Sequence, residues 1–309
     1  MKRKERIQEV IPVLFSWYTK EARVLPWRET RDPYRVLVSE IMLQQTQVDR
    51  VIEKYKEFLT EFPTVQDLVK ASTADVIRSW VGLGYNRRAL FLQKTARAVV
   101  SEYNGVFPAD LEKLKALPGL GDYTARAVLS FAFDKAVPMM DTNHRRIYTR
   151  LFFGIQEKKD AELIAVGELM GEPMQKMTIA KKVPFGQKQS NMYHWNQMLM
   201  DFGSALCTSR SPKCSDCPVQ VYCKAYPKSL TAFEKKKKLA KTSKKTPFRD
   251  TDRYYRGRIV DLLRQDGEVS ITKVHSRFDD IPKERLDKII LQLAKDGLIK
   301  IEKKRIVFP

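Results

Sequence analysis

The stretch Leu117-Pro118-Gly119-Leu120-Gly121 most narrows what this chain can fold into. A helical run from Ala109 to Ala116 stops at it, and a second, Tyr123 to Phe133, begins just beyond it. Proline cannot continue a helix and glycine reaches backbone angles closed to other residues, so two helices should join here in a tight hairpin. Gly119 and Gly121 offer backbone with no Cβ in the way, and the N–H groups that open the second helix carry the positive end of its dipole. Such a turn suits a phosphate, and on a nucleic-acid backbone it would fix register without reading sequence. An ordinary helix corner with a glycine cap has the same signature, and the turn alone leaves both readings open.

Charge bears on the partner. The 309 residues hold 57 Lys and Arg against 37 Asp and Glu, a formal net charge of +20, which favours a polyanion over an acidic metabolite. Nucleic acid is the expected partner. No apolar run approaches the roughly 18 residues of a membrane span, and the charged start, Met1 to Gln8, lacks a following signal-type block. A soluble protein of a prokaryotic cytoplasm is therefore expected. The four cysteines all lie between Cys207 and Cys223, as one set of ligands would, rather than spread as a disulfide framework.

The chain up to about residue 227 reads as all-α. Ile7, Val10, Ile11, Leu14, Phe15 and Tyr18 fall at helical spacing; Asp32 followed by Pro33 starts a helix running to about Gln45 and carrying Glu40; Thr64 and Ser72 can cap two short helices. Gly82-Leu83-Gly84 marks another tight turn before a long helix from about Tyr85 to Tyr103. The stretch Met174 to Ser190 is weakly patterned and reads as a loop or lid. Residues 228–250 form a lysine-rich linker, serving as a flexible tether or as a contact to a nucleic-acid backbone. From 251 to 309, three amphipathic helices and two short strands around Glu302-Lys303-Lys304 outline a small winged helix, a module that serves either in DNA grooves or in protein docking.

The cysteine spacing is Cys207-x6-Cys214-x2-Cys217-x5-Cys223. Structural zinc usually takes two close Cys pairs, whereas only one exists here, and unequal spacing is normal for an iron-sulfur cluster, so spacing favours the cluster without excluding zinc. This cysteine module, directly after Met200-Asp201-Phe202-Gly203, together with Leu117 to Gly121 and the downstream Asp141, resembles the helix-hairpin-helix DNA glycosylase superfamily that includes endonuclease III. Leu25-Pro26-Trp27-Arg28, Ser39 to Val48 and Gly82-Leu83-Gly84-Tyr85 are similar to the MutY family of adenine glycosylases within it. The likeness covers residues 1 to about 227 and implies a six-helix part at about 30–138, an iron-sulfur part at about 1–29 and 139–227, and a [4Fe-4S] cluster on the four cysteines.

The resemblance also implies roles. In isolation Glu40 reads as a solvated helix carboxylate and Asp141 as a helix N-cap. In the family pattern Glu40 is the acid that protonates the extruded adenine, and Asp141 is the carboxylate beneath the sugar carbon, with Asn143 orienting these groups. Tyr123 stands where the bifunctional relatives carry a lysine, so hydrolysis without strand scission is implied. Trp27, Arg28 and Gln197 correspond to the adenine pocket, Gln45 to the side chain that fills the gap left by the flipped base, and Gln47, Tyr85 and Asn86 to further DNA contacts. For Trp27, Arg28, Gln45 and Gln197, ordinary packing or surface polarity is the competing reading.

Two departures from the family stand out. Asn86 replaces an aromatic that probes the opposite base in many members, and the C-terminal segment is a compact winged helix, not the Nudix-like domain that recognises 8-oxoguanine. The expected activity is monofunctional removal of adenine opposite 8-oxoguanine or guanine by a monomer on mismatched double-stranded DNA. The alternatives are a thymine or uracil glycosylase acting opposite guanine, and a redox-sensing DNA-binding regulator. Gln44-Gln45-Thr46-Gln47 argues against the first, and Glu40 with Asp141 against the second.

Overall fold

The structure is a computed structural model and describes residues 1–175, 189–228 and 246–309. The chain forms two compact units, Met1–Val36 with Gly121–Lys244, and Leu37–Leu120 with Lys245–Pro309. Most of the Met174 to Ser190 stretch and most of the basic linker lie outside the described residues.

The first unit is helical. Helix α1 (Arg3–Glu21) runs through Pro12 and buries Ile7, Val10, Ile11, Leu14 and Tyr18 on one stripe. Helix α2 (Pro33–Leu43) begins here and continues into the second unit; Pro33 supplies its first residue, and the Tyr34 amide donates to Asp32 Oδ1 at 2.8 Å. Helix α8 (Asp122–Phe131) follows the hairpin. Helix α9 (Thr142–Tyr148) passes into a wider π-type turn at Thr149–Phe153, so Leu151 and Phe152 still point inward. Helix α10 (Asp160–Gln175) continues through Pro173. Helix α11 (Asn191–Ala205) is capped by Ser190 and buries nearly every residue from Met192 to Gly203. Met140, Ile147, Tyr148, Leu163, Trp195 and Phe202 join the α1 stripe in one core, and Cys207, Cys217 and Cys223 pack against its edge.

The second unit holds the rest of α2, then α3 (Val48–Glu61), α4 (Val65–Lys70), α5 (Thr73–Ser79), α6 (Arg87–Tyr103) and α7 (Leu111–Ala116). Thr64 and Ser72 cap α4 and α5 as expected, and Asp110 caps α7. Gln47 is the N-cap of α3, with no side-chain bond, and the Thr46 hydroxyl before it lies among the groups around Arg88. Phe58 packs edge-on to Phe62 and Trp80, with ring centroids 4.9 and 5.8 Å apart.

The C-terminal part of this unit has α12 (Asp252–Asp266), β1 (Glu268–Ser270), α13 (Ile271–Arg277), α14 (Lys283–Lys295), β2 (Lys300–Glu302) and β3 (Arg305–Val307). The three helices match expectation. The sheet has three strands where two were expected: β3 sits between β1 and β2, antiparallel to both, with Val269 opposite Ile306. This is a winged-helix module around Ile259, Leu263, Leu286, Ile290 and Ile306.

Candidate active site and metal centre

Asp141 is the best-defined candidate side chain in the first unit. It is the N-cap of α9 and accepts from the His144 amide at 2.7 Å, the His144 ring at 2.6 Å and Asn143 Nδ2 at 2.9 Å. Burial pushes its pKa up, but His144 and the Asn143 amide outweigh this and hold it below the usual carboxylate range. Asp141 is thus an ionised carboxylate in a largely dry place, with 16% of its side chain exposed. Asn143 is fixed from the other side: its Oδ1 accepts from Arg146 at 2.6 Å. Arg146 continues to the Gly203 carbonyl at 2.8 Å and the Cys207 carbonyl at 2.6 Å. A Cβ on Gly203 would sit 2.6 Å from Asn143 Oδ1, so glycine is required to leave Asn143 its place.

Arg28 is paired rather than open. Its two terminal nitrogens each donate to Asp201 at 2.8 Å, and one also donates to the Arg23 carbonyl at 2.9 Å. Both side chains of the pair are 1% exposed, and Arg23 adds a third contact to Asp201 at 2.6 Å. Burial raises the Asp201 pKa, yet the guanidinium of Arg28 wins and holds it down. Trp27 lies beside Arg28 in the short Pro26–Arg28 turn and is buried; Gln197 is buried on α11 and hydrogen-bonds the Tyr193 phenol. Tyr123, the second residue of α8, is half-buried.

In the second unit Glu40 is 5% exposed, on a helix buried continuously from Val36 to Met42. Arg88, which sequence reasoning passed over, organises this region. Its guanidinium donates to the carbonyls of Ile41 (2.8 Å), Met42 (2.9 Å) and Gln44 (2.5 Å), to Thr46 Oγ1 (3.1 Å), and to the carbonyls of Leu83 (2.9 Å) and Gly84 (3.0 Å). A cation on the last carbonyls of α2 satisfies orphan acceptors and complements the helix dipole. Burial pushes its pKa down to about 10, so it stays charged at neutral pH. Gln45 and Tyr85, on the two turns that Arg88 joins, have left-handed backbones with φ of 57° and 47°. Gln45, Gln47 and Tyr85 are exposed and Asn86 half-buried.

The hairpin glycines differ in what they do. Gly119 has φ of 82°, and a Cβ there would sit 2.7 Å from Phe91 Cβ, so the fold itself demands glycine. Gly121, the N-cap of α8, faces open space where a Cβ would meet nothing within 4 Å.

All four cysteines are free and half-buried, and together they line one pocket with Arg150 and Leu206. Arg150 Nη1 donates to Cys207 Sγ at 3.4 Å. Burial and the neighbouring sulfurs push the Cys214, Cys217 and Cys223 thiols up, Cys217 to about 12. Four thiolates need a compensating cation, and this all-sulfur donor set fits iron.

Residues 38–168 match the model of the HhH-GPD superfamily base excision DNA repair protein, and residues 207–223 match the iron-sulfur binding domain of endonuclease III. A thermostable thymine-DNA glycosylase superposes with a TM-score of 0.63 at 28% identity, over 72% of this chain and 98% of its own. An endonuclease III in complex with DNA superposes at 0.60 and 23% identity, over 75% of this chain and 100% of its own, a likeness of fold. Fold, hairpin and cysteine loop together define a base-excision DNA glycosylase that carries an iron-sulfur centre. Adenine DNA glycosylases are similar over greater lengths: that of Mycolicibacterium smegmatis is 34% identical over 93% of this chain and 91% of its own length. That of Mycobacterium tuberculosis is 37% identical over 81% and 77%. The human one is 40% identical over 69% of this chain and 38% of its own. The chain belongs to the adenine DNA glycosylase family.

Cys207, Cys214, Cys217 and Cys223 are accordingly the ligands of a [4Fe-4S] cluster, whose chemistry when bound is to cross-link a loop that has little core of its own. Protein purified without oxygen is expected to be brown, and Cys217→Ser to lose iron and fold poorly. Iron and zinc analysis checks this; stoichiometric zinc without iron in the wild type would refute it.

Proposed function

We propose that this protein hydrolyses the N-glycosidic bond of adenine mispaired with 8-oxoguanine or guanine in double-stranded DNA, acting as a monomer in a prokaryotic cytoplasm. No helix among the described residues is long and apolar enough to cross a membrane. The observation that carries the reading is the ionised Asp141, held at the mouth of α9 by His144 and Asn143.

Neutral adenine leaves poorly, so Glu40, buried on α2, delivers a proton to the purine ring as the bond breaks. Departure leaves an oxocarbenium-like sugar. Asp141 stabilises that charge, by contact or by a transient bond, until water adds, the two-carboxylate logic of glycoside hydrolysis applied to a nucleoside. Asn143, locked by Arg146, keeps the carboxylate aimed. Trp27, Arg28 and Gln197 shape the adenine pocket, with Arg28 acting through its hold on Asp201. Gln45, Gln47, Tyr85, Asn86, Gly119 and Gly121 contact the duplex. The direct test is a panel of single-mismatch duplexes read as alkali-labile sites. Release of thymine or uracil opposite guanine, with adenine untouched, would replace this reading with mismatch-thymine repair.

Tyr123 makes the reaction monofunctional, because a phenol cannot form the Schiff base that leads to strand scission. Borohydride should trap no covalent complex with the wild type, whereas Tyr123→Lys should gain trapping. Efficient trapping by the wild type would show another amine at work.

A further inference from the structure

The family roles leave the winged-helix module without a task, but the second unit shows where it is seated. Its core includes two residues from outside the module, Ile77 of α5 and Leu90 of α6, the helices on either side of the turn from Gly82 to Asn86. Two arginines of α12 then reach the turn. Arg264, with 11% of its side chain exposed, donates to the Ile77 carbonyl at 2.9 and 3.2 Å and to Asn86 Oδ1 at 3.1 Å. Arg253 donates to the Tyr85 hydroxyl at 2.5 Å and lies over its ring, 5.4 Å from the centroid. A further pair, Arg87 with Asp296 at 3.5 Å, ties the start of α6 to the end of α14.

This turn needs support. Gly82, Gly84 and Tyr85 all have positive φ, and a tyrosine there stores strain that persists only when neighbours fix it. Arg88 holds the turn from inside, and the module holds Tyr85 and Asn86 from outside. An exposed arginine would satisfy itself in water. Arg264 is instead withdrawn from solvent, paired through Nη1 with Asp261 of its own helix at 2.6 Å, while its Nε and Nη2 sit on the Ile77 carbonyl and Asn86 Oδ1, which its removal leaves underbonded.

We infer that the C-terminal module is the positioning element of the Gly82–Asn86 turn, and that Arg253 and Arg264 are the positioning residues through which it sets Tyr85 and Asn86 for contact with the strand opposite the target base. The inference rests on the adenine glycosylase reading for the DNA-contact role of that turn. It gives the module a task in opposite-base discrimination that needs no DNA contact of its own.

The test uses the full chain in its iron-loaded form. Arg264→Met keeps the stem packed and removes the fork; Asn86→Ala removes the acceptor; the double variant closes a cycle. Single-turnover adenine excision is measured opposite 8-oxoguanine, guanine and cytosine, with duplex affinity from a non-hydrolysable adenine analogue. Discrimination among opposite bases should fall about tenfold in Arg264→Met, as loss of a charged hydrogen bond implies, with Asn86→Ala alike and the double variant no worse. A common loss opposite every base, or effects of the two changes that multiply, would overturn the inference.

A readout free of catalysis is at hand, since Trp80 Nε1 donates to the Gly84 carbonyl at 3.2 Å. Its indole N–H resonance should move in Arg264→Met, and an unmoved signal also overturns the inference. If that variant fails to fold, Arg253→Leu, at an exposed position touching Tyr85, is held to the same discrimination and resonance criteria. Wild-type protein that leaves adenine in place would defeat the functional reading, while the Trp80 signal would still decide whether the module sets the turn.

Discussion

Glu40→Gln should lower adenine excision by about 10²- to 10⁴-fold, the range typical of losing a general acid. The substitution keeps shape and hydrogen bonding while removing the transferable proton. Duplex affinity should stay within about twofold, because phosphate contacts dominate binding and Glu40 is buried. Single-turnover kinetics beside a titration with a non-hydrolysable duplex separate the two quantities. Equal losses in rate and affinity would make Glu40 a structural residue and return the proton donor to the list of unknowns. A rate that hardly changes would do the same.

The second large effect is on stability. Asp201→Asn leaves the Arg28 guanidinium, 1% exposed, without its counter-charge, and breaking a buried pair in this way costs ~3–5 kcal/mol. Against the ~5–15 kcal/mol that holds most proteins folded, that is a large share. Denaturant titration of the iron-loaded protein should show the midpoint fall with little change in slope; a cost under ~1 kcal/mol would mean water reaches the pair. The same residue predicts acid sensitivity. Asp201 and Asp141 both have folded pKa values below their ordinary ones, so their stabilisation is complete above the unfolded value of about 4 and is lost as pH falls through the folded values.

What could be read from the chain follows the range of the interactions involved. The hairpin at Leu117 to Gly121 and the cysteine loop are set by residues adjacent in sequence, so turn chemistry and ligand spacing were enough to locate them. The winged-helix helices were legible for the same reason, their apolar stripes being local. Strand β1 was not, because three residues are too few to show alternation, and only pairing with Arg305 to Val307 makes them a strand.

The same limit applied within the site. Glu40 alone reads as a surface carboxylate, and its burial depends on what covers α2. Arg88 collects acceptors from two turns far apart in sequence, which no spacing rule anticipates. Asp201 did leave a trace: an acid between Met198 and Phe202, at core-facing helical spacing, demands a buried partner. Sequence reading assigned Arg28 to the base pocket on resemblance; the structure adds the carboxylate that holds it.

If Gln45 and Tyr85 contact the duplex as proposed, their left-handed backbones have a thermodynamic consequence for encounter with DNA. Each such residue costs on the order of 1–3 kcal/mol, and here that cost falls at folding, where the six hydrogen bonds of Arg88 offset it. Loops frozen in advance lose little conformational entropy on association, so their complex should form with a small ordering penalty and a rate governed by counterion release. The free energy of contact then goes into unstacking the duplex, since the protein's own loops are already in place.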